Sequence, residues 1–357
     1  MKILYLGEPD SGTTARQRAE ALRRLGHEVF HVDPRSPMPR TRWALSLGVR
    51  TGFRAWQPFI NRHVRRMAAT FDYDLIWVDC GGEISPDLLR SLKARGALAI
   101  NYNHDDPFAT RDGRKWDQYR ECLPEYDLVV VVRDENLAEA RALGARRVAR
   151  VFRPYDPVAH APLVLSEVER NQWASEVIFV GAWMPERGPF MVRLLELGVP
   201  LTILGSDWNK DPEHARLRSA IRGGPVHGKD YVKAIQCAKV ALGMLSKGNR
   251  DLHTTRSAEV PFIGGAVFCA ERTAEHAVMF QEGGQALFWS SPEECAQSCK
   301  MILADPERRD HMAAAARERV IELHLSNDAV MAWVLNQLKE AHDSIVRTLS
   351  VEPTISR

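Results

Sequence analysis

Apolar residues in this chain come in short runs separated by longer amphipathic stretches, and the alternation occurs twice. In the first half KILYLG, EVFHVD, DLIWVDC, LAINYN, LVVVVR and RVARVF are short, apolar and rich in branched residues, as strands are. In the second half EVIFVGAW, PLTILGS, GPVHG, VALGMLS, AVFCAE and ALFWSS repeat the pattern. Between the runs, TARQRAEALRRLG keeps its apolar residues on one helical face and stops at Gly26. SPDLLRSLKARG opens on Ser85 as N-cap with Pro86 at the first helical position, and closes on Gly96. After Ser291 the pattern is helical throughout. Strands alternating with helices need crossover connections, which give parallel sheets covered on both faces.

Pro154, Pro157 and Pro162 in RPYDPVAHAPL exclude a continuous helix and mark a linker. The predicted fold is therefore α/β, with two doubly wound Rossmann-like domains whose parallel sheets face a central cleft. The expected limits are 1–155 for the first domain, with a basic insert at 35–70, then a linker at 156–175 and a second domain at 176–328. A final helix at 329–357 is long enough to cross back to the first domain. In this fold class ligands bind outside the strand C-termini.

Charge narrows the function. Lys plus Arg number 48 and Asp plus Glu 46, a balance that gives no reason to expect nucleic acid as a partner. The apolar run in MKILYLGEPD is too short for a secretory signal, and no stretch approaches the length of a membrane span, so a cytoplasmic protein is expected. Locally the balance fails. No acidic residue lies between Asp33 and Asp72, where Arg35, Arg40, Arg42, Arg50, Arg54, Arg62, Arg65 and Arg66 all fall. Phe53, Trp56, Ile60, Val64 and Met67 follow near helical spacing, so the insert reads as a basic amphipathic helix. Such a helix is suited to the inner face of an anionic membrane, to an anionic acceptor, or simply to covering its own sheet. Six cysteines are scattered without a CxxC pair; Cys295 and Cys299 lie four apart on a predicted helix, without the ligands zinc would need, and reduced buried thiols are expected.

Residues 246–271, SKGNRDLHTTRSAEVPFIGGAVFCAE, hold the richest chemistry. A helix starting near Thr254 or Thr255 offers unpaired backbone N–H groups to a phosphate, and Arg256 adds full charge in the first turn. Glu259 lies about one turn on, able to accept from vicinal hydroxyls, with Asp251 eight residues before it in a loop. The alternative is a capped surface helix followed by a Gly-Gly turn. In the first domain GEPDSGTT follows the first strand; it lacks a GxGxxG fingerprint, but Gly12 and Thr13 are placed to approach a ligand. Asn103-His104-Asp105-Asp106 follows the fourth strand, where a carboxylate or imidazole can take the proton of an attacking hydroxyl, or where Asp106-Pro107 merely starts a turn.

The segments VGAWMPERG, GKDYVKAIQCAKVALGMLSKGNRD and HTTRSAEVPFIGGAVFCAE resemble GT-B glycosyltransferases, nearest the family-1/family-4-like group that includes the spore-maturation (CgeB-like) proteins. The resemblance spans about 177–325. It implies that Asp251 contacts a donor sugar, although relatives carry Glu there, and that Glu259 contacts the ribose. It also implies that Arg187, in the loop opened by Gly181, faces the donor diphosphate, and that Val226 and His227 in PVHG neighbour the nucleobase. The expected function is transfer of a sugar from a nucleoside-diphosphate sugar to a hydroxyl acceptor (a glycan, a lipid-linked molecule or a small molecule), with retention of configuration and with neither metal nor cofactor. His104, Asp105, Asp106, Arg187 and Asp251 are the candidates for chemistry. Gly12, Thr13, Gly181, Arg187, Val226, His227, Asp251, Thr254, Thr255, Arg256 and Glu259 are those for donor binding. A nucleotide-sugar 2-epimerase and a noncatalytic nucleotide-sugar-binding protein share the same outline.

Overall fold

A computed structural model describes residues 1–349, with side-chain burial described through Lys339. The chain divides into two compact units, Met1–Val151 with the segment from Asp328 onward, and Phe152–Asn327. Residues 156–175 lie inside the second unit, where Ser166 opens the helix Glu167–Trp173 with a reciprocal capping box.

The first unit holds six parallel strands, β1 Lys2–Leu6, β2 Glu28–Val32, β3 Leu75–Asp79, β4 Leu98–Tyr102, β5 Leu128–Val131 and β6 Val148–Arg150, in the order β2-β1-β3-β4-β5-β6. Side chains alternate between two cores. Ile3, Tyr5, Leu75 and Trp77 face one side of the sheet, and Leu4, Leu6, Ile76 and Val78 the other. Burial on both faces is why these strands are continuously apolar and do not alternate with polar residues. Val330, Met331, Val334, Leu335 and Leu338 of the last helix, Asn327–Leu349, pack into the core of Ile3 and Trp77, so this helix does join the first unit.

The basic insert contains two helices, Arg42–Thr51 and Gln57–Ala68, where one was expected. The break falls at Gly52 and Phe53, both with positive φ (58° and 60°), and a Cβ on Gly52 would meet the Arg114 carbonyl at 2.9 Å. The expected stripe is real: Phe53, Ile60 and Val64 are buried in the first unit's core.

The second unit repeats the plan with β7 Ser175–Val180, β8 Leu201–Leu204, β9 Ile221–Gly223, β10 Ala238–Gly243, β11 Val267–Glu271 and β12 Leu287–Trp289, ordered β12-β11-β10-β7-β8-β9 and all parallel. Val177, Phe179, Val240 and Leu242 face one core, and Ile178, Val180, Ala241 and Phe268 the other. GPVHG is not a strand. The strand ends at Gly223 just before it, because Pro225 has no N–H to give a ladder.

In each sheet the order reverses beside the unit's first strand, between β1 and β3 and between β7 and β10. Strand C-termini flanking such a switch point splay their loops apart and leave room for a ligand.

Candidate active site

At the second unit's switch point the loop after β7 is pinned by close approaches. Gly181 N–H donates to Leu204 O (2.9 Å), Trp183 N–H to Ser206 O (2.8 Å), and the Trp208 indole to Gly181 O (3.0 Å). A Cβ on Gly205 would lie 1.9 Å from the Gly181 carbonyl, and one on Gly188 would lie 1.7 Å from Asp211 Oδ2, the oxygen that accepts from the Trp183 indole (2.6 Å). Backbone leaves room only for glycine at 205, and a side chain at 188 would displace the Asp211 carboxylate from the Trp183 indole. Arg187 opens the helix Arg187–Glu196, which has no side-chain cap, and its guanidinium donates to Ala182 O (2.7 Å) and reaches toward Leu245 O (3.5 Å) beyond β10.

The helix Arg256–Ile263 begins one or two residues later than the spacing suggested, after Thr254 and Thr255, and it too lacks a side-chain cap. Arg256 stacks over the Tyr231 ring (4.3 Å), pairs with Glu259, and extends its Nε toward Val180 O (3.5 Å). Arg187 and Arg256 thus both reach carbonyls at the C-terminal end of β7, Ala182 just past it and Val180 as its last residue. Glu259 is buried, accepts from the Tyr231 hydroxyl (3.0 Å) and lies 3.6 Å from His160 Nε2. Burial alone would raise its carboxyl pKa, yet Arg256, backed by His160, holds it below the usual carboxylate range.

Asp251 belongs to a separate buried network. Arg153 Nη2 donates to its Oδ1 (2.9 Å), Arg153 also donates to the His253 carbonyl, the Arg153 N–H donates to His253 Nε2 (2.9 Å), and His253 Nδ1 pairs with Glu275. Thr254 N–H donates to Ser257 Oγ (3.2 Å), which lies 2.9 Å from His276 Nε2, so the turn into the helix is fixed from below. Val226 is half-buried and His227 exposed, ahead of the helix Gly228–Gln236.

The first unit's switch point holds a cavity of about 230 Å³ lined by Gly7, Thr13, Asp79, Cys80, Glu83, His104, Asp105 and Lys115 among others. At its base Asp79 accepts two bonds from Arg18 (2.7 and 2.9 Å) and one from the Tyr5 hydroxyl (2.6 Å). Burial pushes the Asp79 carboxyl up, but Arg18 outweighs it and holds it low. His104 Nδ1 lies 3.2 Å from Arg18 and 3.6 Å from Cys80 Sγ; Asp105 pairs with Lys115 (3.3 Å). Asp106 does not line the cavity. It is buried, and its Oδ1 accepts from the N–H groups of Phe108 and Ala109 and from Asn136 Nδ2 (3.1 Å). Thr13 caps the helix Thr14–Arg24 by accepting from Arg16 N–H (3.3 Å), and Gly12 precedes it at φ 90°.

Tyr231, His160, Arg153, His253, Arg18 and Asp79 carry these networks without having stood out in the sequence. An unusual clue was present for one of them, since Arg153 opens the RPYDP segment with a charge that a solvated linker does not need.

Residues 187–334 match the family described as "Glycosyl transferase-like". No curated protein matches the chain. Among solved structures, sucrose-phosphate synthase from Thermosynechococcus elongatus aligns with a TM-score of 0.70 at 15% identity, over 96% of this chain and 99% of its own. Anabaena HepE in complex with UDP-glucose gives 0.63 at 12% identity, over 96% and 100%. The E. coli trehalose-6-phosphate structure bound with UDP-2-fluoro glucose gives 0.62 at 14% identity, over 95% and 99%. At these identities the likeness is one of fold, and it agrees with the expected α/β class and paired parallel sheets. No helix among the described residues is long and apolar enough to cross a membrane.

Proposed function

We propose that this chain, a glycosyltransferase by its family match and its two-sheet fold, moves a sugar from a nucleoside-diphosphate donor to a hydroxyl acceptor, with retention and without a metal. What carries the reading is the convergence of Arg187 and Arg256 on the C-terminal end of β7, through the Ala182 and Val180 carbonyls. Guanidinium groups are the donors a diphosphate needs, and their chief catalytic service is to stabilise it as it leaves. Glu259 holds Arg256 in place and faces the ribose; Asp251, oriented by Arg153, faces the sugar. The first unit's cavity supports the acceptor side, with His104 and Asp105 receiving the hydroxyl proton. The segments VGAWMPERG, GKDYVKAIQCAKVALGMLSKGNRD and HTTRSAEVPFIGGAVFCAE support a kinship with the spore-maturation group.

A thermal-shift screen with UDP, GDP, dTDP and their sugars tests the donor class. One nucleotide series should raise Tm, since a ligand bound only by the folded state stabilises it. Silence from every nucleotide would sink the reading. Incubation with the stabilising sugar nucleotide then separates transfer or hydrolysis from C2 epimerisation and from binding without turnover.

The insert supports peripheral contact with the inner face of an anionic membrane. Trp43 and Phe59 are 60% and 57% exposed on its two helices, among exposed Arg42, Arg50, Arg62 and Arg66. The protein should sediment with phosphatidylglycerol vesicles and not with phosphatidylcholine vesicles, and Trp43→Ala with Phe59→Ala should release it. Equal behaviour on both lipids removes this contact.

A further inference from the structure

The second unit contains a cluster of sulfur that its proposed chemistry does not use. Cys269 on β11 points into the same core as Cys295 and Cys299, which stand one turn apart on the helix Pro292–Leu303. All three are 0% exposed, and their sulfurs lie within 4.8 Å of one another. The sequence showed the i, i+4 pair on the helix but not Cys269; only the packing of strand on helix assembles the trio. Among the described residues no fourth cysteine, histidine or carboxylate joins them, and the neighbouring core consists of Val240, Leu242, Val267, Ile302 and similar side chains.

Ligand number and softness decide what such a site takes. A trigonal ion with metal–sulfur bonds of about 2.3 Å sets its sulfurs about 4 Å apart, within the spacing present here. Zinc in a structural site is tetrahedral and would need a fourth ligand, which this apolar core does not offer. Soft thiolate sets select copper(I) among the alternatives. Cysteine ligates as thiolate, so binding releases the three thiol protons to solvent, forms three metal–sulfur bonds and moves no electron.

We propose that Cys269, Cys295 and Cys299 form a three-sulfur site for a soft monovalent cation of the copper(I) class, between the strand that follows the Arg256 helix and the helix Pro292–Leu303. The test uses the full reduced chain under anaerobic conditions, titrated with copper(I) acetonitrile against bathocuproine disulfonate. The folded protein should retain one copper per chain. Cys295→Ser and Cys299→Ser should each weaken retention by more than the roughly 10–100-fold that losing an outer-shell contact costs a metal site. Cys122→Ser, in the first unit's core, should leave it unchanged. Should a serine variant fail to fold, slow alkylation of wild-type protein through its transient openings gives a second readout, with copper slowing the modification of Cys269, Cys295 and Cys299 and leaving the rates at Cys80, Cys122 and Cys237 as they were. No retained copper, retention undiminished in the folded serine variants, displacement by equimolar zinc, or shielding of other cysteines would each overturn the proposal.

Discussion

The two switch points occupy the same place in the same kind of sheet and are built from different partners. In the first unit the helix after β1 has its N-terminus capped by Thr13, and the cation there, Arg18, is neutralised by two bonds to Asp79. Donors and charge are largely consumed within the protein. In the second unit the helices Arg187–Glu196 and Arg256–Ile263 start without side-chain caps, and backbone carbonyls take their place: Arg187 N–H donates to Met184 O, Ser257 N–H to Thr254 O and Ala258 N–H to Thr255 O. Arg256 is paired with Glu259, and Arg187 and Arg256 reach the Ala182 and Val180 carbonyls at the end of β7. On the proposed reading the second unit takes the anion, and the first, with His104, Asp105 and Glu83 around its cavity, takes the hydroxyl.

The largest effect expected from breaking this contrast lies in the first unit. Asp79→Ala strands the buried Arg18 guanidinium, a kind of loss that costs about 3–5 kcal/mol. Denaturant unfolding should show it as an earlier transition of the first unit, while nucleoside-diphosphate affinity measured on the still-folded protein stays within about twofold of the parent. A large loss of affinity would mean that the two sites do not divide the work as argued. Next in size is Arg187→Ala. Removing a charged donor costs about 1.5–3 kcal/mol, so calorimetry should find the dissociation constant raised about ten- to hundredfold. Glu259→Ala should follow in the same direction by freeing Arg256. Unchanged affinity in both variants, with folding intact, would remove the site from these residues.

What the sequence disclosed follows the reach of the interactions involved. The strands were legible because burial on both faces makes each a continuous apolar run, and Arg256 with Glu259 because three residues of helix bring them together. Arg187 was legible from a local motif. The partners that orient these groups were not, since Arg153 meets Asp251 across 98 positions and Arg18 meets Asp79 across 61. No local period encodes such pairings. The same limit hid the third cysteine of the sulfur trio. The insert failed for a different reason: its apolar spacing is helical on both sides of Gly52, and one positive-φ glycine turned a single expected helix into two.

The smallest predicted effect separates the two kinds of buried titratable group by pH. His276 is fully buried, and burial holds its pKa below the usual histidine value against the opposing pull of the Glu271 carbonyl. That carbonyl, 2.7 Å from Nδ1, can only accept, so Nδ1 carries the proton and Nε2 accepts from Ser257. A histidine with a lowered folded pKa binds fewer protons folded than unfolded. Its contribution is therefore complete above about pH 6.5 and is lost as pH falls toward the folded value. His31, half-buried in the first unit, is shifted the same way by burial and adds to the slope. Asp79 and Glu259 have depressed folded values, so their contributions are complete above the ordinary carboxylate range and are lost as pH falls through it toward the folded values. Stability followed by denaturant titration should accordingly begin to decline below about pH 6.5, well before the carboxylates titrate. His276→Gln should flatten that first decline more than His31→Gln, because the less accessible ring loses more on charging. A decline starting only near pH 4, or one indifferent to both substitutions, would show that neither ring is held neutral by the fold.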